Sequence, residues 1–206
     1  MQTMLFSNPA NPHNLLPNNG ELYYFPQFFT PSVANNLFNV LINTIAWKQE
    51  PIVLFGKQIM QPRLTALYGD AAISYGYSGI TMQPIEWTAA LQTIKQAIEP
   101  ITKTLFTTVL LNYYRNGNDS MGWHRDNEPV LGKNPLIASV SFGAARKFSF
   151  RDYETKKTTI SLLLEHGSLL IMKGATNHFW EHQLPKTKQN NNPRVNLTFR
   201  TIVNHR

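Results

Sequence analysis

The chain has 206 residues, 42% of them hydrophobic and 12% aromatic, which excludes a disordered segment and allows the core of one domain to be buried. It has no cysteine, so disulfides and thiolate catalysis are excluded, and no apolar run approaches the ~18 residues of a membrane-spanning helix. A formal net charge of +7 favours an anionic partner, nucleic acid above all, although a plain basic surface has the same signature. No basic segment followed by an apolar stretch opens the sequence, so a soluble intracellular protein without membrane attachment is expected, cytoplasmic or nuclear according to its host.

Residues 1–20 contain Asn8-Pro9-Ala10-Asn11-Pro12 and Pro17-Asn18-Asn19-Gly20, which read as a flexible leader outside the core. Residues 21–206 are expected to form one domain. Glu21 to Phe29 is a candidate edge strand. Thr30-Pro31 starts a helix with Thr as N-cap, and Val33, Leu37, Leu41 and Ile45 give it one buried stripe. Short strand-like pieces and turns fill 49–82. A second amphipathic helix is predicted over about 85–99, with Trp87, Leu91, Ile94 and Ile98 inward and Pro100 ending it. Strand-like runs then follow at 104–114, 136–142, 147–152, 158–164, 168–173, 178–184 and 194–203. Helices followed by many short strands predict an α+β architecture, helices packed on a β-sandwich or jelly roll.

Two features carry chemistry. His124 and Asp126 are two residues apart, a spacing that points both side chains the same way from an extended segment. A third ligand from elsewhere would complete two histidines and one carboxylate on one face of a metal. His182 and His178 both qualify, because a separation of four keeps them on one strand face. The tripeptide alone is unspecific. The second feature is Arg194-Val195-Asn196-Leu197-Thr198-Phe199-Arg200, which alternates polar and apolar. Val195, Leu197 and Phe199 face a core, and Arg194, Asn196, Thr198 and Arg200 share the other face. That face is either solvated or suited to a dicarboxylate, which arginine grips through a planar fork. Asn112 and Tyr114 share a strand face in the same manner.

Together, Asn112-x-Tyr114, His124-x-Asp126, His182 and the Arg194–Arg200 strand resemble the AlkB family of Fe(II)/2-oxoglutarate dioxygenases. The resemblance runs from about Phe55 to Val203, includes Ala138-Ser139-Val140-Ser141-Phe142-Gly143 and His166-Gly167-Ser168-Leu169-Leu170, and is nearest to the homologues that repair alkylated duplex DNA. It implies a double-stranded β-helix core over about 104–203, with a nucleotide-recognition lid over about 50–83. It implies iron ligands His124, Asp126 and His182, the surrounding Trp180-Glu181-His182-Gln183-Leu184-Pro185 favouring His182 over His178. Asn112, Tyr114, Arg194 and Arg200, with Asn196 and Thr198 nearby, would hold 2-oxoglutarate.

For the substrate, the resemblance places Tyr77 against a flipped base, with Tyr75, Ser78 and Glu128 helping to position it. Phe55 would form an apolar wedge, and Arg63, Lys57, Lys186 and Lys188 would contact phosphates. The implied activity is oxidative demethylation of 1-methyladenine and 3-methylcytosine in duplex or single-stranded DNA by a monomer. Fe(II) would be the cofactor and 2-oxoglutarate and O2 the co-substrates. Alkylated RNA is the alternative substrate. A non-catalytic nucleic-acid-binding jelly roll and a metal-dependent hydrolase are the rivals from other classes, the latter leaving Arg194 and Arg200 without a dicarboxylate.

Overall fold

Alternating side chains on short β segments dictate two packed sheets, and the computed structural model shows how they are assembled; it describes residues 12–54, 56–71, 75–77, 80–157, 159–189 and 191–203. In chain order the first half contains β1 (Glu21–Phe25), α1 (Pro31–Thr44), the hairpin β2 (Pro51–Leu54) and β3 (Lys57–Met60), and β4 (Leu64–Gly69). A small hairpin of β5 (Tyr75–Tyr77) and β6 (Ile80–Met82) precedes α2 (Ala89–Thr102). The second half contains β7 (Thr108–Tyr114), β8 (Met121–His124), β9 (Ile137–Gly143), β10 (Arg146–Asp152) and β11 (Thr159–Leu164). It continues with β12 (Ser168–Lys173), the one-turn helix α3 (Thr176–Phe179), β13 (Trp180–Leu184) and β14 (Arg194–Arg200).

Six strands form the larger sheet, in the order β1-β12-β9-β14-β7-β4, and four form the smaller one, β11-β10-β13-β8. Every named pairing in both is antiparallel. This is the jelly-roll core that the strand pattern predicts. One face of the larger sheet packs on α1 and α2: Val109 and Leu111 of β7, Val140 and Phe142 of β9, and Val195, Leu197 and Phe199 of β14 meet Leu37, Leu41, Leu91, Ile94 and Ile98. The opposite face looks toward the smaller sheet, where Ile137, Leu170 and Met172 pack with Phe150 and Trp180. At about 25 cal/mol per Å2 of apolar surface removed from water, these clusters supply the main force holding the layers together.

Several boundaries differ from the sequence reading for identifiable reasons. Residues 14–20 are not a detached leader. Leu16 is buried in the inter-sheet cluster, Asn14 bonds to the backbone of Leu16, Gly20 and Leu22, and the Trp180 indole donates to Asn18 O at 3.1 Å. The helix expected from 85 begins at 89, because Thr88 is its N-cap and accepts from Leu91 N. Pro100 lies inside its last turn, and the chain leaves the helix at Lys103 with a left-handed φ of 54°. The stretch 50–83 is not one lid: β4 within it is an edge strand of the larger sheet, paired with β7. The segment expected as a strand from 178 is helical through Phe179.

Candidate active site

The pocket lies between the sheets, and alternation along β14 builds one wall. Its odd residues go to the helices, while Arg194, Asn196, Thr198 and Arg200 line the pocket, and all seven positions are buried. Neighbouring β7 contributes Leu110, Asn112 and Tyr114, with Asn112 opposite Asn196 and Tyr114 opposite Arg194. On the other side, β9 turns Ser139 and Ser141 inward, and these two serines were missed by the sequence reading. Ser141 Oγ accepts from Arg194 Nη2 at 2.8 Å, and Ser139 Oγ accepts from Asn196 Nδ2 at 2.8 Å. The polar-apolar alternation of Ala138-Ser139-Val140-Ser141-Phe142 was the available signal.

Facing that wall, the smaller sheet brings the three candidate ligands together. His124 ends β8 and stands directly opposite His182 of β13, their ring centroids 4.3 Å apart. Asp126 lies beyond the end of β8, yet it still lines the pocket with His124. Ligand atoms of His124, Asp126 and His182 all lie within 4.8 Å of one another, a group that can hold a metal ion. The rival His178 is exposed on α3, outside this group, because one helical turn breaks the strand parity that kept it in contention.

The electrostatics suit a cation. Asp126 is buried, which raises its pKa, but Arg200 and then the two imidazoles outweigh burial and hold it below the usual carboxylate range. Arg200 Nη2 donates to Asp126 Oδ1 at 2.6 Å, leaving Oδ2 3.7 Å from His182 Nε2. Burial lowers the pKa of His182 to about 3, reinforced by the charges of His124 and Arg200 and opposed by Asp126. Burial also lowers His124, with Asp126 opposing. Both rings are therefore neutral near pH 7, as metal ligands must be. His124 Nδ1 lies 2.8 Å from Gly122 O. A carbonyl can only accept, so Nδ1 carries the proton and Nε2 keeps its lone pair for a metal.

Arg194 is the other conspicuous charge. It is among the largest fully buried side chains, its Nε lacks a hydrogen-bond partner, and no carboxylate among the described residues forms an ion pair with it. Burial lowers its pKa to about 10, which still leaves it cationic. A buried guanidinium without a counter-ion is costly, and an anion delivered to the pocket would relieve that cost. The donor set thus fits a divalent metal beside an anionic co-substrate.

Among the expected substrate contacts, Arg63 is a correction. It is buried at 4% exposure, and its Nε donates to Asn112 Oδ1 at 2.7 Å, so it supports the pocket wall and presents no guanidinium to a surface phosphate. That bond occupies the amide oxygen of Asn112 and leaves the NH2 end for a ligand. Glu128 is partly buried at the start of the 3-10 turn Pro129–Leu131, two residues past Asp126. Phe55 and Ser78 lie outside the described residues, as do the side chains of Tyr75 and Tyr77.

The family described as the 2OG-Fe(II) oxygenase superfamily matches residues 21–200. The chain is 43% identical over 188 residues to the human alpha-ketoglutarate-dependent dioxygenase alkB homolog 3, a match covering 86% of this chain and 65% of that protein. It is equally 43% identical over 159 residues to the human DNA oxidative demethylase ALKBH2, covering 74% of this chain and 61% of the relative. Against ALKBH2 of Arabidopsis thaliana the identity is 30%, covering 91% and 68%. The chain therefore spans about two thirds of the length of these curated relatives. The solved structure of OsALKBH1 superposes with a TM-score of 0.59 at 16% identity, covering 87% of this chain and 97% of that one, which supports the shared fold alone. The jelly roll, the triad between its sheets and these matches agree: the chain belongs to the 2OG-Fe(II) oxygenase superfamily and, within it, to the AlkB family.

Proposed function

We propose that this protein is an Fe(II)/2-oxoglutarate dioxygenase that demethylates N-alkylated DNA bases, 1-methyladenine and 3-methylcytosine, by direct reversal. The observation that carries the reading is Arg194, a buried cation lacking a carboxylate partner among the described residues, in the same pocket as the triad. A metal-dependent hydrolase would leave that cation uncompensated. The relative named a DNA oxidative demethylase supports DNA as substrate.

His124, Asp126 and His182 would hold the metal at the wall of the pocket that they line. Arg194 would grip the far carboxylate of 2-oxoglutarate, with the Tyr114 ring beside it. Asn112, oriented by Arg63, would donate to the co-substrate from the β7 side, and Asn196 and Thr198 would shape the floor. Bound iron, with O2 and 2-oxoglutarate, supplies the oxidation: one oxygen atom enters the methyl group and the other enters succinate as CO2 leaves. The hydroxymethylated base then loses formaldehyde. Leu110, Met121, Phe148 and Met172 line the pocket with apolar surface and limit water. A methylated base of this class is cationic, and Glu128, two residues past Asp126, would offset that charge. Lys186 and Lys188, after β13, supply cations for the phosphate backbone.

The deciding experiment follows succinate and formaldehyde release with 1-methyladenine and 3-methylcytosine oligonucleotides, as duplex DNA, single-stranded DNA and RNA, with and without Fe(II). Iron-dependent release of both products on a DNA arm is expected. Release on the RNA arm alone would reassign the substrate, and succinate without formaldehyde on any arm would remove demethylation.

A further inference from the structure

Arg125 separates the two candidate ligands His124 and Asp126, and its side chain leaves the pocket altogether. Its Nη1 donates to His178 O, in α3, at 2.9 Å. The guanidinium carbon lies 3.4 Å from the ring centroid of Tyr153, which follows β10. Tyr153 N in turn donates to Phe179 O at 2.7 Å, so the two anchors are tied to each other. The segment after β8, the end of β10 and α3 therefore meet at one guanidinium, just past the ends of the β10–β13 and β13–β8 ladders.

The position needs such an anchor. The β8 ladder ends at His124, and none of the turn and loop backbone hydrogen bonds among the described residues involves Arg125, Asp126 or Asn127. From inside, Arg200 is the one side chain among the described residues that holds Asp126 at hydrogen-bond distance. A metal site tolerates ligand displacements of only about 0.5 Å, so a carboxylate on an unladdered segment requires restraint from both sides. The planar guanidinium provides it through one directed hydrogen bond and one stacked face.

We propose that Arg125 is a positioning residue, which fixes the separation of His124 and Asp126 by bracing the segment between them against α3 and Tyr153. The brace acts on metal affinity and touches neither substrate nor co-substrate. It rests on the reading that His124, Asp126 and His182 hold a metal.

The test measures Mn(II) dissociation constants anaerobically on the full chain, together with the visible spectrum of the Co(II) form and the thermal midpoint of the metal-free protein. Arg125→Ala is expected to weaken Mn(II) by about 10- to 100-fold, the range for outer-shell partners of metal ligands, and to alter the Co(II) bands. Tyr153→Ala is expected to cause a smaller loss in the same direction. Tyr153→Phe, which keeps the ring, and Lys156→Ala, which removes another cation near that ring, should bind Mn(II) like the wild type. The metal-free midpoints should stay together throughout. Wild-type Mn(II) affinity in Arg125→Ala overturns the proposal, as does a loss accompanied by a lowered metal-free midpoint, which would mean a general folding role. Weaker oligonucleotide binding with intact Mn(II) affinity also overturns it, because Arg125 would then be a nucleic-acid contact. A wild-type protein that does not bind Mn(II) removes the metal reading and the brace with it.

Discussion

Arg200 is bound to Asp126 at 2.6 Å across the pocket, whereas Arg194, six residues earlier on the same strand face, has no carboxylate partner among the described residues. Two arginines expected from sequence to act as a pair therefore have different tasks. Arg194→Lys should raise the KM for 2-oxoglutarate about 10- to 150-fold, matching the roughly 1.5–3 kcal/mol of a hydrogen bond to a charged group. Arg200→Lys should chiefly weaken Mn(II) binding, because it loosens Asp126. Steady-state kinetics in 2-oxoglutarate, alongside metal titration of both variants, make the comparison. A metal defect confined to Arg194→Lys would reverse the assignment.

His182 and His178 differ in setting as sharply as in position: one is buried opposite His124, the other exposed on one turn of helix. His182→Ala, like His124→Ala and Asp126→Ala, should abolish metal retention and turnover. His178→Ala should leave both near wild type, since only its backbone carbonyl meets Arg125. Metal content after dialysis and product release measure the two effects.

His166 predicts an acid-sensitive fold. Its Nδ1 accepts from Gly143 N at 2.8 Å, a bond that only the neutral ring can make, and burial lowers its pKa below the ordinary 6.5. The unfolded chain then binds more protons than the folded one as pH falls through about 6.5, so stability declines on acidification and levels off below the folded pKa. Urea midpoints between pH 7.5 and 5 should fall in the wild type. The fall should be shallower in His166→Asn, whose amide oxygen can accept from Gly143 without titrating. Parallel curves would remove His166 as the cause.

The β2–β3 hairpin carries the duplex question. Leu54 pairs with Lys57, Gly56 has a left-handed φ of 73°, and all of Lys57–Met60 is exposed. Phe55→Ala should lower repair of duplex DNA by about 1–3 kcal/mol, the scale of base–aromatic stacking, and leave single-stranded substrate nearly unaffected. Equal losses on both substrates would make Phe55 a packing residue.

The sequence exposes what depends on local periodicity and hides what depends on distant contacts. Alternation along Arg194–Arg200 predicted both faces of β14, and the spacing of His124 and Asp126 predicted their shared direction. Strand parity could not separate His178 from His182, because the turn at Thr176 is stabilised by residues far away in sequence. Thr176 Oγ1 accepts from Glu21 N at 2.9 Å, and its one proton has Lys173 O at 2.6 Å and Glu21 O at 3.0 Å as acceptors. Arg63 looked like a surface cation for a similar reason: its partner Asn112 lies 49 residues on. The strand β8 escaped notice because Met121-Gly122-Trp123-His124 is short and contains a glycine, and only its pairing with β13 defines it.

The placement of β14 has a consequence for assembly. It lies between β9 and β7, so each of them finds this neighbour only after the rest of the described strands has been made. Thr108 pairs with Arg200, 92 positions later in the chain, and closing such loops slows folding. Before β14 inserts, β7 and β9 each present an unpaired edge, the feature that templates aggregation. Arg194 and Arg200 arrive on that strand, so intermediates lacking it have neither the guanidinium for a co-substrate nor the one that steadies Asp126. The binding pocket and the closed sheet are completed in one event, and a chain stalled short of it is both inert and adhesive.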